Sequence, residues 1–131
     1  MEITVQGEPV GKGRPRMTKT GHTYTPQKTR EYENRIKQAY HDQAHGEKLD
    51  GPLRVHITAY MTIPKSARRD EQKRMQQGKV RPTKKPDLDN IIKTLDALNG
   101  LAFEDDKQIV EVVAEKIYSY DPRLKIEINE I

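Results

Sequence analysis

The chain has 131 residues, of which 33% are hydrophobic and 34% are charged, so it can form one domain with a modest core. It contains no cysteine, which excludes a disulfide scaffold, a thiolate zinc site and a cysteine nucleophile and fits a reducing cytoplasm. No apolar run approaches the roughly 18 residues of a membrane span, and the first residues are not typical of a signal peptide. We therefore expect one cytoplasmic domain over residues 1–131, with a thin core that dimerisation would help to bury.

Charge is distributed unevenly along the chain. Residues 1–85 hold 19 Lys and Arg against 9 Asp and Glu, a net +10, whereas residues 86–131 hold 5 against 11, a net −6. A basic body joined to an acidic focus is typical of a protein that binds a polyanion and also holds a divalent metal. An ordinary solvated surface of uneven charge is the alternative.

The first third of the chain predicts a strand, a basic loop and a helix. Residues 1–6 alternate apolar and polar side chains, as a short strand does. Residues 7–23 are rich in glycine and cations and form a flexible or hairpin-like loop. The loop lacks the Gly-Lys-Ser/Thr ending of a P-loop, so we expect no nucleotide cofactor. Its cations are candidates for contacts with DNA phosphates, unless the loop is only a solvated turn: Lys12, Arg14, Arg16 and Lys19.

A helix follows, and then the clearest strand. Thr25 as N-cap and Pro26 at the first helical position predict a helix start. The helix carries an apolar stripe of Tyr32, Ile36, Ala39 and Tyr40 and ends near Gly46. Residues 53–63 alternate strictly and predict a strand with one buried face. Ser66 then predicts the cap of a short polar helix that ends at Gly78. Four further cations are candidates for DNA contacts: Arg68, Arg69, Lys84 and Lys85.

The strongest chemical signal is a pair of aspartates at the start of the next helix. Asp87 and Asp89 precede an apolar pattern that runs to Asn99-Gly100, and Lys93 lies one turn after Asp89. A second acidic group, Glu104-Asp105-Asp106, follows a short turn. Carboxylates that converge repel each other unless a cation lies between them, and their oxygens suit Mg²⁺ or Mn²⁺. A metal-assisted phosphodiester hydrolysis, with Lys93 stabilising developing negative charge, is the chemistry that this pattern favours.

The same acidic residues have structural alternatives. Asp87 or Asp89 can act as a helix cap, and Lys93 can serve only as a surface ion-pair partner of Asp89. The double Asp can belong to a solvated turn. Asp96 is interpreted as structural, or as a residue behind the ligands.

Two strands complete the chain. Residues 109–118 predict one strand, Asp121-Pro122 predicts a turn, and residues 124–128 predict a second strand, so that the two would form a hairpin. The predicted order is β-α-β-α-α-β-β. We expect an α+β domain in which helices pack on a mixed or mostly antiparallel sheet of about four strands.

Three segments together resemble the signature of the RusA family of Holliday-junction resolvases. They are the segment from Pro86 to Lys93, the segment Asp96-Ala97-Leu98-Asn99-Gly100, and the segment from Asp105 to Val110. The loop Gly13-Arg14-Pro15-Arg16 is also similar to that of many phage-borne and bacterial members.

The resemblance implies a RusA-like, homodimeric, Mg²⁺-dependent endonuclease, in which Mn²⁺ is an alternative ion. It implies binding to four-way or branched DNA and paired, symmetric nicks in DNA recombination and repair. The implied catalytic residues are Asp87, Asp89, Lys93 and Asp106, with Asp105 as an alternate or additional metal ligand. Many members are prophage-encoded, so a prophage source fits. The alternatives are a nuclease for flaps or forks, a non-catalytic nucleic-acid-binding protein, and an inactive family member.

Overall fold

Four strands form one mixed sheet in the computed structural model, which describes all residues from 1 to 131. In chain order they are β1 (Glu2–Gln6), β4 (Leu53–Thr62), β5 (Ile109–Ser119) and β6 (Arg123–Glu130), and in the sheet they lie in the order β1-β6-β4-β5. The helices are α1 (Gln27–Ala44), α2 (Arg69–Gln76) and α3 (Leu88–Ile92). The α+β class and the mixed sheet are confirmed. The basic loop adds a hairpin of two short strands, β2 (Arg16–Met17) and β3 (Thr23–Tyr24).

The core lies between one face of the sheet and the helices α1 and α3. β4 is the central strand, and its alternate residues Leu53, Val55, Ile57 and Ala59 are fully buried, as their alternation predicts. The predicted stripe of α1 is buried against the sheet. Leu124, Ile126 and Ile128 of β6 complete the layer. No helix combines the length and the apolar character that crossing a bilayer requires.

The predicted hairpin between the last two strands is wrong. β4 lies between β5 and β6, pairing parallel with β5 and antiparallel with β6. The turn after Ser119 therefore crosses the end of β4 instead of returning beside β5. Both long edges of β4 need hydrogen-bonding partners because the strand is buried, and this arrangement provides one on each side.

Three helix boundaries differ from the predictions. Pro26, not Thr25, is the N-cap residue of α1, and no side chain caps the helix. α2 begins at Arg69 without a cap from Ser66. The predicted long motif helix is α-helical only over Leu88–Ile92 and continues as a 3₁₀ helix over Lys93–Leu98. The Thr94 hydroxyl donates a hydrogen bond to the Ile91 carbonyl at 2.5 Å, an alternative backbone contact of the kind that disturbs regular helices.

Candidate active site

The basic loop packs directly on the aspartate motif. The Lys12 backbone N–H donates to the Asn90 carbonyl at 2.8 Å. Gly11 is required by this approach, because a Cβ there would lie 2.8 Å from Cβ of Pro86 and 3.0 Å from Cβ of Asn90. On the other side, the Gly13 N–H donates to Oγ1 of Thr29 on α1 at 2.9 Å. The loop is therefore held between α1 and α3.

A cleft of about 740 Å³ opens where these three segments meet. Asp87 lies in its wall, and Glu8 is the other acidic residue of the lining. The remaining charged residues of the lining are all cations: Lys12, Arg14, Arg16, Lys28 and Lys85. The cleft thus combines one aspartate of the motif with a predominantly positive surface, which suits a phosphate backbone.

Lys12 differs from the other cations because it is engaged with carboxylates. Its Nζ lies 3.0 Å from Oδ2 of Asp96 and 3.7 Å from Oε2 of Glu33. Burial disfavours the charged amine, but the hydrogen bond to Asp96 and the charge of Glu33 outweigh it, and the net result is a raised pKa for Lys12. Lys12 is therefore a cation within an acidic cluster, not a free phosphate-binding side chain.

Asp96 also lies beside Asp106. A side-chain hydrogen bond with Asp96 is the main cause of the raised pKa of Asp106, followed by burial and by the negative charges of Asp96 and Asp105. Two carboxylates this close repel each other, and a nearby cation would relieve the repulsion. The 3₁₀ helix and the acidic turn after it are thus connected through Asp96, which the sequence interpretation did not include among the ligands.

The two residues of the double Asp have different roles in the structure. Asp105 is the N-cap of the 3₁₀ turn Asp106–Gln108, where its Oδ2 accepts from the Lys107 N–H at 3.2 Å and its own N–H donates to Oε1 of Gln108 at 3.1 Å. This capping box engages one oxygen of the Asp105 carboxylate. The Asp106 carboxylate has no such structural hydrogen bond and faces Asp96.

Asp87, Asp89 and Lys93 lie at the start of the motif as predicted. Asp87 is the N-cap residue of α3, yet its side chain makes no capping hydrogen bond, so its carboxylate is not consumed by the helix. Nζ of Lys93 lies 4.0 Å from Oδ2 of Asp89, and both side chains are exposed. At this separation the ion pair is weak, and both groups are accessible to a ligand.

The structure brings together only some of the predicted cations. Arg14, Arg16 and Lys85 line the cleft, whereas Lys19 and Lys84 lie outside the lining. Arg69 is the first residue of α2 and Arg68 precedes it; α2 packs near β5, and neither arginine lines the cleft. Nε of Arg68 lies 3.6 Å from Oδ1 of Asp70. Sequence reasoning did not include Lys28 or Glu33, and it interpreted Asp96 as structural or as a residue behind the ligands. Only Asp96 had a signal, since it follows Asp89 by seven residues and thus shares its helical face.

The side chains at this site have the right donor atoms for a hard divalent cation. They do not surround a single position in the structure. No three carboxylates or histidines lie close enough together to hold a metal ion. The available donors are carboxylate oxygens, which Mg²⁺ and Mn²⁺ prefer. The proximity of Asp96 to Asp106 is the observation in favour, because a cation between neighbouring carboxylates would relieve their repulsion.

Known proteins are similar to this chain over most of its length. The Bacillus subtilis protein YqaN, whose function is uncharacterized, is 34% identical over 137 aligned positions that cover 100% of this chain and 96% of YqaN. The crossover junction endodeoxyribonuclease rusA of Lactococcus phage r1t is 37% identical over 82 positions, which cover 61% of this chain and 56% of the phage protein. The family model of endodeoxyribonuclease RusA matches residues 6–129. The chain therefore belongs to the RusA family of crossover junction endodeoxyribonucleases, metal-dependent enzymes that act on Holliday-junction DNA.

Proposed function

We propose that this chain is a homodimeric, Mg²⁺-dependent endonuclease that resolves four-way DNA junctions by paired, symmetric nicks. It would act in the cytoplasm, in DNA recombination and repair, and a prophage origin fits the phage relative. The observation that carries the proposal is the position of the basic loop, which packs on the aspartate motif and lines one cleft together with Asp87.

The cations of the cleft would hold the DNA backbone. Arg14, Arg16, Lys28 and Lys85 form no ion pair with an acidic side chain of the chain, so their charge is available for phosphates. Lys19, Arg68, Arg69 and Lys84 are further candidate contacts for the outer arms of a junction. Binding through phosphates should weaken steeply as salt rises, and selectivity for junctions would come from the shape of the DNA.

Asp87, Asp89 and Asp106 are the proposed metal ligands. The capping role of Asp105 favours Asp106 as the ligand of the double Asp, with Asp105 as an additional donor through its second oxygen. A bound divalent ion would polarise the scissile phosphate and lower the pKa of an attacking water. The carboxylate of Asp96, which lies beside that of Asp106, would add negative charge next to the ion.

Lys93 would stabilise the transition state by its charge. Its ammonium lies 4.0 Å from Asp89 and is exposed, so it can approach a phosphate that binds between α3 and the cleft. A cation there opposes the negative charge that develops on the phosphoryl oxygens and on the leaving 3′-oxygen. No nucleophilic side chain is needed for this reaction.

The test is cleavage of a synthetic four-way junction compared with duplex, flap and fork DNA of the same sequence, with and without Mg²⁺. We expect nicks only at the junction, at symmetric positions, and only with the ion. Asp89→Asn should abolish cleavage and retain junction binding, because removing a negative charge does not weaken attraction to phosphate. Asp42→Asn on the outer surface of α1 is the matched control and should cleave normally.

The outcomes separate the alternatives. Equal cleavage of flaps or forks would replace junction specificity with a broader nuclease activity. Junction binding without cleavage under Mg²⁺ or Mn²⁺ would favour a non-catalytic binding protein or an inactive family member. Substantial residual cleavage by Asp89→Asn would remove Asp89 from the ligand set.

A further inference from the structure

The outer backbone groups of the two edge strands, β1 and β5, differ in how far other parts of the chain cover them. At the β1 edge, the Gln43 side chain on α1 pairs with both backbone groups of Thr4, accepting from its N–H and donating to its carbonyl, each at 2.7 Å. Arg35 of the same helix donates to the Gln6 carbonyl. These side chains occupy the positions that a neighbouring strand would use, so the β1 edge cannot recruit another strand there.

The β5 edge is covered only at its carboxyl-terminal half. The Arg81 side chain donates to the Lys116 carbonyl at 3.4 Å, and Lys116 donates to the Lys84 carbonyl, so the segment 81–84 lies against this part of the strand. No side chain or backbone group bonds to the outer edge between Val110 and Ala114. Three valines of this stretch are exposed: Val110 by 64%, Val112 by 39% and Val113 by 46%.

An uncovered, uncapped edge of strongly β-forming residues is a template on which another strand can pair. We infer that the partner is a second copy of this chain, joined by antiparallel pairing of β5 with β5 across a two-fold axis at Val112. This inference rests on the proposed homodimer and identifies the surface that forms it. The two four-stranded sheets would then become one continuous sheet of eight strands.

Hydrogen-bonding direction supports this axis. The Ser119 carbonyl accepts from the Ile63 N–H and points toward β4, whereas the Lys116 carbonyl points outward to Arg81. Because backbone groups of successive residues alternate between the two edges of a strand, Ala114 and Val112 also point outward. Val112 can therefore exchange two hydrogen bonds with Val112 of the partner subunit.

Charge excludes the neighbouring registers. An axis at Glu111 would place Glu111 opposite the partner's Glu111, and an axis at Val113 would place Glu111 opposite the partner's Glu115; both oppose like charges. An axis at Ala114 would need the Lys116 edge, which Arg81 already occupies. With the axis at Val112, Glu111 lies opposite the partner's Val113, and Val110 lies opposite the partner's Ala114.

With the axis at Val112, a basic segment of one copy also lies near an acidic segment of the other. Beyond the paired residues 110–114, the occupied edge at Lys116 would lie level with the partner's Gln108, which ends the 3₁₀ turn that begins at Asp106. The basic segment 81–84 of each copy would thus run beside the acidic turn of the other. Each active site would then lie next to cations of the second subunit.

The absence of natural cysteine makes the register testable by cross-linking. In Val112→Cys the two cysteines would be directly opposite, with Cα atoms about 5.5 Å apart, within the range for a disulfide. Mild oxidation should convert most of the protein to a disulfide-linked dimer. In the control Val110→Cys the two cysteines would be separated by about four strand positions, roughly 13 Å, and should not cross-link. Equal cross-linking of both variants, or of neither, would overturn the register.

Two lysine variants, Val112→Lys and Val113→Lys, give an independent test by sedimentation at micromolar concentration. Val112→Lys would oppose two lysines on the axis and should reduce the mass from twice the 15.2 kDa chain to that of one chain. Val113→Lys would face the partner's Glu111 and should remain dimeric. A dimeric Val112→Lys, a monomeric Val113→Lys or a monomeric wild-type chain would each refute the inference. Junction cleavage by the wild-type chain is measured separately, so failure of the interface and failure of the proposed activity are distinguishable.

Discussion

Replacing Lys12 with methionine tests whether its ammonium and a divalent cation stabilise the same carboxylates. The substitution keeps most of the side-chain length and removes the charge that lies 3.0 Å from Asp96 and 3.7 Å from Glu33. All three side chains are partly exposed, so each ion pair contributes at most about 1 kcal/mol after screening by water. We expect a loss of about 1–2 kcal/mol in the free energy of unfolding, or a fall in Tm of roughly 3–8 °C.

Magnesium should restore this loss. In the variant, Asp96 and Glu33 lose their compensating cation. Because Asp96 lies beside Asp106, a divalent ion held by Asp106 no longer competes with an amine for this group of carboxylates. At about ten times its dissociation constant, an ion that binds only the folded chain adds about 1.4 kcal/mol. The assay is thermal unfolding with and without Mg²⁺, and the gain in Tm should be larger for Lys12→Met than for the wild-type chain.

Lys28→Met is the matched control, because Lys28 lines the same cleft but has no acidic partner. It should change neither the Tm without Mg²⁺ nor the gain that Mg²⁺ produces. Equal gains for the wild-type chain and for Lys12→Met would refute the reasoning, since the amine and the ion would then act at separate places. Loss of stability that Mg²⁺ fails to restore would reduce Lys12 to a structural ion pair.

Three other changes test separate parts of the molecule. Lys93→Ala should slow junction cleavage at least 100-fold on general expectations for such electrostatic groups, with little change in binding; an equal loss of both would make Lys93 a phosphate contact. Asp105→Ala should remove the cap of the 3₁₀ turn and cost about 1 kcal/mol in denaturation experiments, yet keep more cleavage activity than Asp106→Asn; the reverse order of activities would exchange their roles. Tyr32→Phe removes a buried hydroxyl that has no hydrogen-bonding partner, so stability at neutral pH should be unchanged or slightly higher. Burial raises the pKa of Tyr32 from 10.0 to about 12, so the wild-type chain should lose roughly 1 kcal/mol per pH unit relative to the variant as pH rises from 10 to 12; parallel pH profiles would contradict this.

The sequence predicts those elements in which one face is buried, because burial of one face makes apolar residues recur at regular intervals along the chain. The alternation over residues 53–63 predicts a strand with one buried face, and the structure makes that strand the centre of the sheet. The stripe of α1 likewise matches its buried side. In both elements the pattern is sufficient because every second residue, or every third and fourth, meets the same core.

Strand neighbours were not predictable in the same way. The sequence Asp121-Pro122 predicts that the chain reverses direction. A reversal is compatible both with a hairpin and with a connection that crosses the end of β4. Which of the two occurs depends on the partners of β4, which are distant in sequence. The mostly exposed pattern of β5 is that of an edge strand, yet its run of valines predicts a buried one. A second copy across this edge would reconcile the composition with the exposure.

The contacts of Asp96 with Lys12 and Asp106 are not predictable from a regular helix alone. At 3.6 residues per turn, Asp96 is rotated by about 60° from Lys93, whereas in a 3₁₀ helix residues three apart eclipse each other. The change to 3₁₀ geometry at Lys93 therefore aligns Asp96 with Lys93 along the helix. Lys12 reaches Asp96 from the basic loop, and Asp106 reaches it from the acidic turn. Because three segments distant in sequence meet at this one carboxylate, a change at Asp96 should affect the basic loop and the acidic turn together, which a residue of the helix alone would not do.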